Sequence, residues 1–547
     1  MFVRVKKNRE YSYLQIVESR REGKSVKQRV IATLGQYDTL VASGKIDDLT
    51  RSFQKFATNV QIIDAHREGS LQAHSTKSIG PALVFDRLWS ELGIRDVIEE
   101  RLEGKRFRFS VERAIFLTVL HRLFDPGSDR YAEQWKKDYR IAGVERLELH
   151  HLYRAMSWLG GSLVQHGNDP LTLRTRKDLI EEELFRRNRD LFSSLDLVFF
   201  DTTSLYFEGH GGESLGQYGH SKDSRPDLRQ MIVGAILDGS GRPICCELWP
   251  GNITDVTTLI PVVERLKTRF AIASVCVVAD RGMISATTIE KLESEALGMD
   301  YILGVRMRKT KEVHDEILSS EDAFTTVTGS RQKSTDPAPL KVREHWIENR
   351  RYIVCLNEEQ ARKDAADRVA IVESLRDKLR DGDKGLVGNN GYRKYLKSGG
   401  DEHFTVDEEK IEAEKIYDGK WVLRTNTKLA AAEVALKYKQ LWMVEDIFRS
   451  VKSLLETRPI YHHHDETIRG HVFCSFLALV VLKELEARLD ERGKRYEWAM
   501  IRQDLKALQE VEVEMEGKAW YLRTDVHGIC NDVFKAAGVA VPPAVRN

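Results

Sequence analysis

The chain has 547 residues, 41% of them hydrophobic and 31% charged. That supplies several packed cores and excludes a disordered chain, a collagen-like fibre and a disulfide mini-protein. The 85 basic and 84 acidic residues nearly cancel, so no global charge announces a partner. Residues 1–30 are an exception: Arg4, Lys6, Lys7, Arg9, Arg20, Arg21, Lys24, Lys27 and Arg29 face only Glu10, Glu18 and Glu22. Such a local excess suits a polyanion, and it also occurs on ordinary surfaces. The six cysteines form no C-x-x-C pair, which disfavours a zinc ribbon or redox motif and suits a reducing compartment. The longest apolar run, Val472 to Leu482, is about half of the ~20 residues needed to span a bilayer. The start lacks the apolar core of a signal peptide, so the reading is a cytoplasmic protein with no membrane partner.

At about 150 residues per domain, the length predicts three or four domains. Phe2 to Val5, Tyr13 to Val17 and Val26 to Ala32 alternate apolar and polar residues between polar turns, which predicts a small antiparallel sheet with basic side chains on its exposed face. From about Leu83 to Leu191 the apolar spacing is helical. Leu195 to Phe200 then reads as a buried strand ending at Asp201. Arg229 to Leu237 and Pro243 to Trp249 are two further strands joined by the turn Asp238 to Arg242. A helix is predicted from about Asp255, and Ser274 to Ala279 as a strand ending at Asp280. Ser285 is placed as the N-cap of the next helix, and Tyr301 to Val305 is a fifth strand. Three strands in meander followed by β-α-β units give a mixed-sheet α/β domain. Between about Arg306 and Lys420 the charged chain, with strands near Phe324 to Val327 and Tyr352 to Cys355, a polar helix near Glu358 to Asp381 and a loop Gly388 to Gly391, reads as an insertion. A long helix, about Ala430 to Glu456, and an apolar helix near Val472 to Leu489 follow.

Asp201 and Asp280 each close an apolar strand, where ligands and catalytic groups gather in open α/β sheets. A strand-ending Asp also serves as a cap or turn residue, and spacing alone leaves both readings open. Paired carboxylates of this kind suit two divalent ions ~3.5–4 Å apart in phosphodiester chemistry. On the long helix, Leu441, Val444, Phe448, Val451 and Leu455 mark the buried stripe. Tyr438, Glu445 and Lys452, seven apart, lie along its edge, and Asp446 falls on the opposite face. Helix geometry alone favours a solvated edge with a Glu445–Arg449 ion pair over a functional role. The glycine-rich run Glu208 to Glu213 leads to a strand rather than a helix, so it reads as a flexible hairpin and not a phosphate loop. His462 to His464 cannot all face one ion from a regular element, so they read as a polar loop.

Tyr438-x2-Leu441-x3-Glu445-x6-Lys452 resembles the Tyr-x2-Arg-x3-Glu-x6-Lys signature of DDE transposases related to bacterial insertion sequence 4. Phe199-Phe-Asp-Thr-Thr-Ser204, Val278-Ala-Asp-Arg-Gly282, Tyr218-Gly-His-Ser-Lys-Asp-Ser-Arg-Pro-Asp227, Pro250-Gly-Asn-Ile-Thr-Asp255, Arg458-Pro-Ile-Tyr-His462 and Ile468-Arg-Gly-His471 are similar as well, in the same order. The departure is Leu441, where the pattern has Arg.

The resemblance implies an α/β fold: a ribonuclease-H-like mixed-sheet core interrupted by a mainly β insertion, with a small N-terminal β module and helical flanking segments. The corresponding division is 1–75 basic β module, 76–190 helical module, 191–305 first core part, 306–418 insertion, 419–490 second core part, and 491–547 C-terminal tail. It implies Mg²⁺-dependent cleavage at transposon ends, then attack of the freed 3′-OH on target DNA. Asp201, Asp280 and Glu445 would be catalytic and hold two Mg²⁺ ions, with Mn²⁺ able to substitute. Lys452 and Arg449 would grip end phosphates, with Tyr438 a third contact and Trp421 or another insertion aromatic stacking on a displaced base. The basic face with Arg4, Lys6, Lys7, Lys27 and Arg29 would bind double-stranded DNA at the terminal inverted repeats. The expected assembly is a homodimer on paired ends, in a prokaryotic cytoplasm and nucleoid-associated when DNA-bound. The rival readings are a domesticated DNA-binding protein or repressor with this fold, and a stand-alone ribonuclease-H-type nuclease.

Overall fold

A computed structural model describes residues 1–547 apart from 23–24, 55–64, 164–172, 190–195, 271, 273–275, 330–335, 382–389, 399–403 and 516. Lys24, Leu191, Leu195, Ser274 and Gly388, named above, lie outside the described residues, as do positions 275 and 389 within the ranges given there. The chain forms two compact units. One joins Met1–Lys77 with Leu508–Val526 and Pro542–Asn547, and the other holds Ser78–Ala507 with His527–Val541.

In the first unit, β1 (Phe2–Asn8), β2 (Tyr11–Glu22) and β3 (Ser25–Gln36) form an antiparallel sheet in that order. Val3, Val5, Val26 and Ile31 are exposed alongside the cations, so apolar as well as basic side chains meet solvent. β4 (Leu71–Ser78) belongs to a second sheet, which three C-terminal strands complete: Gln509–Met515, Lys518–Arg523 and Val545–Arg546.

The second unit begins with helices: α1 (Gly80–Glu91), α2 (Ile94–Leu102), α3 (Val111–Phe124), α4 (Leu149–Leu159) and α5 (Arg176–Arg187). α3 is buried along its whole length, consistent with a helix at the centre of a bundle. Its N-cap Ser110 accepts a hydrogen bond from the Arg113 N–H, satisfying one orphan donor of the first turn.

Next come β5 (Leu197–Tyr206), β6 (Gln230–Asp238), β7 (Pro243–Pro250), α6 (Asp255–Arg269), β8 (Cys276–Ala279), α7 (Ala286–Glu293) and β9 (Asp300–Gly304). β5, β6 and β7 are an antiparallel meander, while β8 runs parallel to both β5 and β9. Ser285 caps α7 by accepting from the Thr288 N–H. Val198 and Phe200 of β5, Val277 and Ala279 of β8, and Leu303 of β9 join one apolar core with Leu259, Val263 and Leu266 of α6. Because side chains alternate along a strand, Phe199 and Asp201 point to the other face.

The strands continue with β10 (Thr325–Thr328), β11 (Leu340–Ile347), β12 (Arg350–Leu356), the short pair β13 (Leu396–Ser398) and β14 (Phe404–Val406), and β15 (Lys420–Thr425). One nine-stranded mixed sheet runs β10-β11-β12-β15-β9-β8-β5-β6-β7, joined where β15 pairs antiparallel with β9. Three strands of the 306–418 segment therefore extend the same sheet. The segment is also not mainly β: its longest element is α8, the 24-residue helix Glu358–Asp381.

Two further expectations need correction. β5 does not stop at Asp201 but continues through Thr202 and Thr203 to Tyr206, paired with β6 throughout. The long helix is in three pieces: α9 (Ala431–Lys439), α10 (Trp442–Arg449) and a π-helical turn, Ser450–Leu454. Between α9 and α10 the N–H groups of Gln440, Leu441, Met443 and Val444 bond three residues back, tightening the chain into a 3₁₀-like turn. Leu441, Val444, Phe448, Val451 and Leu455 are all buried across these breaks. α11 (Asp465–Glu491) and α12 (Trp498–Ala507) follow, and α13 (Cys530–Ala537) completes the unit. No described helix is long and apolar enough to cross a membrane.

Candidate active site

Asp201 and Asp280 meet because of register. Phe200 of β5 lies beside Ala279 of β8 in the parallel pair, so Asp201, within β5, and Asp280, just past the end of β8, stand at one level on neighbouring strands. Ala279 in turn lies beside Leu303 of β9, which puts Gly304 next to Asp280. α10 packs over β5 and β6. Asp201, Asp280, Gly304, Tyr438 and Glu445 line one open cleft of about 490 Å³, with Trp421 and Trp442 also in its wall.

Asp280 is not a turn cap: it makes no side-chain hydrogen bond to the 3₁₀ turn Arg281–Met283 that it precedes. Its Oδ1 instead accepts from the Tyr438 hydroxyl at 2.9 Å. Burial and the adjacent Asp280 carboxylate raise the Tyr438 phenol well above its ordinary value, so it remains a donor. Gly304 makes the contact possible, since a Cβ there would sit 2.4 Å from the Tyr438 oxygen.

Asp201 Oδ1 accepts from the Thr202 N–H at 2.7 Å. Burial pushes its carboxyl up to about 6, and the Asp280 and Asp255 carboxylates push the same way against Lys222 and the Thr202 N–H. The next layer is a set that the sequence reading quoted only as motif letters. The Thr202 hydroxyl donates to Asp255 Oδ1 at 2.6 Å, while Lys222 Nζ reaches the Thr202 carbonyl at 2.8 Å and Asp255 Oδ2 at 3.0 Å. Lys222 lies in the connection between β5 and β6 and Asp255 opens α6, and only their shared bonds to the residue after Asp201 identify them.

Glu445 is exposed in the first turn of α10 and forms no ion pair with Arg449, whose guanidinium instead lies 3.5 Å from Asp446. Asp446 also pairs with Lys483 at 3.3 Å and lines a different groove, with Ser240 and Glu486. Lys452 does not face open solvent. Its ammonium donates to Asp223 Oδ1 at 2.7 Å, with Arg458 3.4 Å from the same oxygen. Arg4, Lys6, Lys7, Lys27 and Arg29 belong to the other unit, where Arg4 bonds Gln15 and Gln28. The glycine-rich loop is anchored, for Asp465 accepts from the Ser214 and Leu215 N–H groups.

Three carboxylates in one cleft are hard oxygen donors, the chemistry Mg²⁺ and Mn²⁺ prefer. Among the described residues the one group of ligand atoms all within 4.8 Å of one another is Asp129, His462 and His471. Asp201, Asp280 and Glu445 do not form so tight a group, although they line one cleft. The partly buried Asp201 carboxyl lies near the Asp280 and Asp255 carboxylates, and this concentration of acidic oxygens fits divalent cations. The histidine cluster fits less well: Arg122 Nη2 lies 2.8 Å from His471 Nδ1, putting a guanidinium where a cation would bind. His462 thus joins a hydrogen-bond network, 3.3 Å from Asp129.

Comparison with curated proteins gives no match. Among solved structures, the cryo-EM piggyBac transposase synaptic complex with hairpin DNA is similar, with a TM-score of 0.37 and 11% identity over 78% of this chain and 79% of that one. The IS1634 family transposase N-terminal domain matches residues 3–65, and the transposase DDE domain matches residues 193–481. The second match covers more than half of the 547 residues and contains every residue of the cleft; the chain belongs to the DDE transposases, enzymes acting on DNA.

Proposed function

We propose that this transposase cleaves DNA at the ends of a mobile element and transfers the freed 3′-OH into target DNA. One observation carries the reading: Asp201, within β5, and Asp280, just past β8, stand at one level on adjacent parallel strands and line the cleft that Glu445 borders. These three side chains would hold two Mg²⁺ ions, or Mn²⁺ in their place. When bound, the metals would supply activation of the attacking oxygen and stabilisation of the leaving one. The protein's own groups orient the site: Tyr438 fixes the Asp280 carboxylate, and the Thr202–Asp255–Lys222 set fixes the backbone that donates to Asp201.

On this reading Arg449 meets an end phosphate from solvent, and Lys452 does so by exchanging Asp223 for DNA. Arg4, Lys6, Lys7, Lys27 and Arg29 add sequence-independent phosphate contacts at the terminal repeats, and Trp421 stacks on a displaced base. The β5-to-β9 arrangement is read as a ribonuclease-H-like core and the Tyr438-to-Lys452 signature as kinship with insertion sequence 4. The division at 75, 190, 305, 418 and 490, a homodimer on paired ends and a prokaryotic, nucleoid-associated location belong to the same proposal.

The test is Mg²⁺-dependent cleavage of duplexes carrying the DNA that flanks the reading frame. Parent protein should cut at the repeat boundary, while Asp201→Ala and Asp280→Ala should bind the same duplex without cutting. Cleavage by either variant at the parental rate would remove that residue from the site.

A further inference from the structure

The loop Gly104–Ser110 alternates in chemistry, with Arg106 and Arg108 separated by aromatic residues: Lys105-Arg-Phe-Arg-Phe109. The structure sorts that alternation onto two faces. Lys105, Arg106 and Arg108 are exposed, and among the described residues none pairs with a carboxylate. Phe107 and Phe109 turn inward. Their rings meet edge to face at 5.7 Å, Phe109 stacks on His151 of α4 at 4.3 Å, and Arg154 of α4 lies 5.8 Å and 5.4 Å from the two ring centres. The aromatic face therefore clamps the loop to a helix and holds the three cations outward. Unpaired guanidinium and ammonium groups on a fixed support suit a polyanion, because no existing ion pair has to be broken.

The patch is also connected to the catalytic strand. Tyr153, next to Arg154, meets His462 edge to face at 5.6 Å, and Ile460 bridges to Phe207, the residue after β5. Arg458 and Arg225 both lie over Tyr206, the last residue of β5. The helix that holds the loop thus also touches, through Tyr153, the 458–462 segment that pairs with the end of the Asp201 strand.

We propose that Lys105, Arg106 and Arg108 form a second DNA-contact surface, which takes the phosphate backbone of the duplex as it leaves the cleft. This rests on the reading that a DNA end occupies the Asp201–Asp280–Glu445 cleft. The contact is to phosphates and carries no sequence preference.

The experiment uses the full chain with Lys105→Gln, Arg106→Gln and Arg108→Gln combined, which leaves Phe107, Phe109 and Arg154 in place. Binding to duplex DNA of arbitrary sequence is measured against salt without divalent metal. Each lost phosphate contact removes about 0.9 from the slope of log K against log salt, so the slope should flatten by about 2–3. Arg106→Lys with Arg108→Lys should keep the parental slope. With Mg²⁺, saturating end DNA should restore the parental cleavage rate while the KM for DNA rises. An unchanged affinity and slope in the triple Gln variant overturns the proposal. A flattened slope in a protein that cuts no end DNA leaves this surface standing and removes the cleavage reading instead.

Discussion

Tyr438 and Asp280 are joined by a 2.9 Å hydrogen bond from α9 to the end of β8, and the bond passes through the space left by Gly304. The glycine is required on steric grounds, because a Cβ would also come within 3.1 Å of the Arg281 nitrogen. Gly304→Ala should therefore push the Tyr438 ring away and cost about 1–3 kcal/mol, since the buried Tyr438 hydroxyl loses its acceptor and a partly buried carboxylate oxygen its donor. Tyr438→Phe should lose a similar amount without the clash. The double variant should be much less damaged than the sum of the two, because each change removes the reason for the other. Denaturant unfolding of all three proteins checks this, and strict additivity would show that Gly304 and Tyr438 are not coupled.

The Asp201 carboxyl predicts a pH-dependent cost. Its folded value is raised to about 6, mainly by burial, so the folded chain holds a proton that the unfolded chain releases near 4. Stability then falls as pH rises between those values, and above about 6 the full penalty is present, up to about 3 kcal/mol. Asp201→Asn carries no such penalty. In the presence of a chelator it should melt above the parent at pH 8, with the gap closing toward pH 4. An Asn variant no more stable than the parent at pH 8 would contradict the burial argument.

Much of the strand framework around this cleft is legible in the sequence, and the departures have identifiable causes. Asp280 was placed correctly at a strand end because Arg281 and Gly282 break the β-branched run Val277–Val278. Asp201 was not, because Thr202 and Thr203 are themselves good strand residues and β6 is long enough to pair with them through Tyr206. The break at Gln440 left no trace in the apolar stripe, since a tightened turn before α10 and a widened one after it keep the same five side chains inward. Pairing of β15 with β9 spans more than a hundred residues and has no local signal at all. Lys222 and Asp255 were visible only as letters in motifs, because their meeting at Thr202 depends on that same long-range packing.

Lys452 offers a separation of structural from DNA-binding roles. Its side chain is 13% exposed and that of Asp223 only 4%, so Lys452→Ala strands a buried carboxylate that Arg458 alone must balance. A loss of about 3 kcal/mol is expected, at the low end for breaking a buried pair because Arg458 remains. Lys452→Met combined with Asp223→Asn removes both charges and should recover most of that stability. If the double variant folds well and still binds end DNA as tightly as the parent, Lys452 pins the 207–229 loop and makes no phosphate contact. Weakened binding in the stable double variant supports the exchange of Asp223 for DNA.

The last prediction separates two adjacent acids on α10. Val444, Ile447 and Phe448 are buried and fix the roll of the helix. With that roll, Glu445 opens into the cleft shared with Asp201 and Asp280, while Asp446 turns to the groove that Lys483 also lines and has Lys483 and Arg449 within 3.5 Å. Bringing Asp446 into the cleft would need a rotation of about 100°, which would expose the apolar side chains that hold the helix down. Glu445→Gln preserves size and hydrogen bonding but removes the charge that a divalent cation requires, so Mg²⁺-dependent cleavage should collapse while folding is unchanged. Asp446→Asn gives up two partly exposed ion pairs worth about 0–1 kcal/mol each, and should lower the melting temperature slightly with cleavage intact. Measuring cleavage and melting for both variants decides between the two acids. An active Glu445→Gln beside an inactive Asp446→Asn would mean that the helix sits on the sheet with a different face.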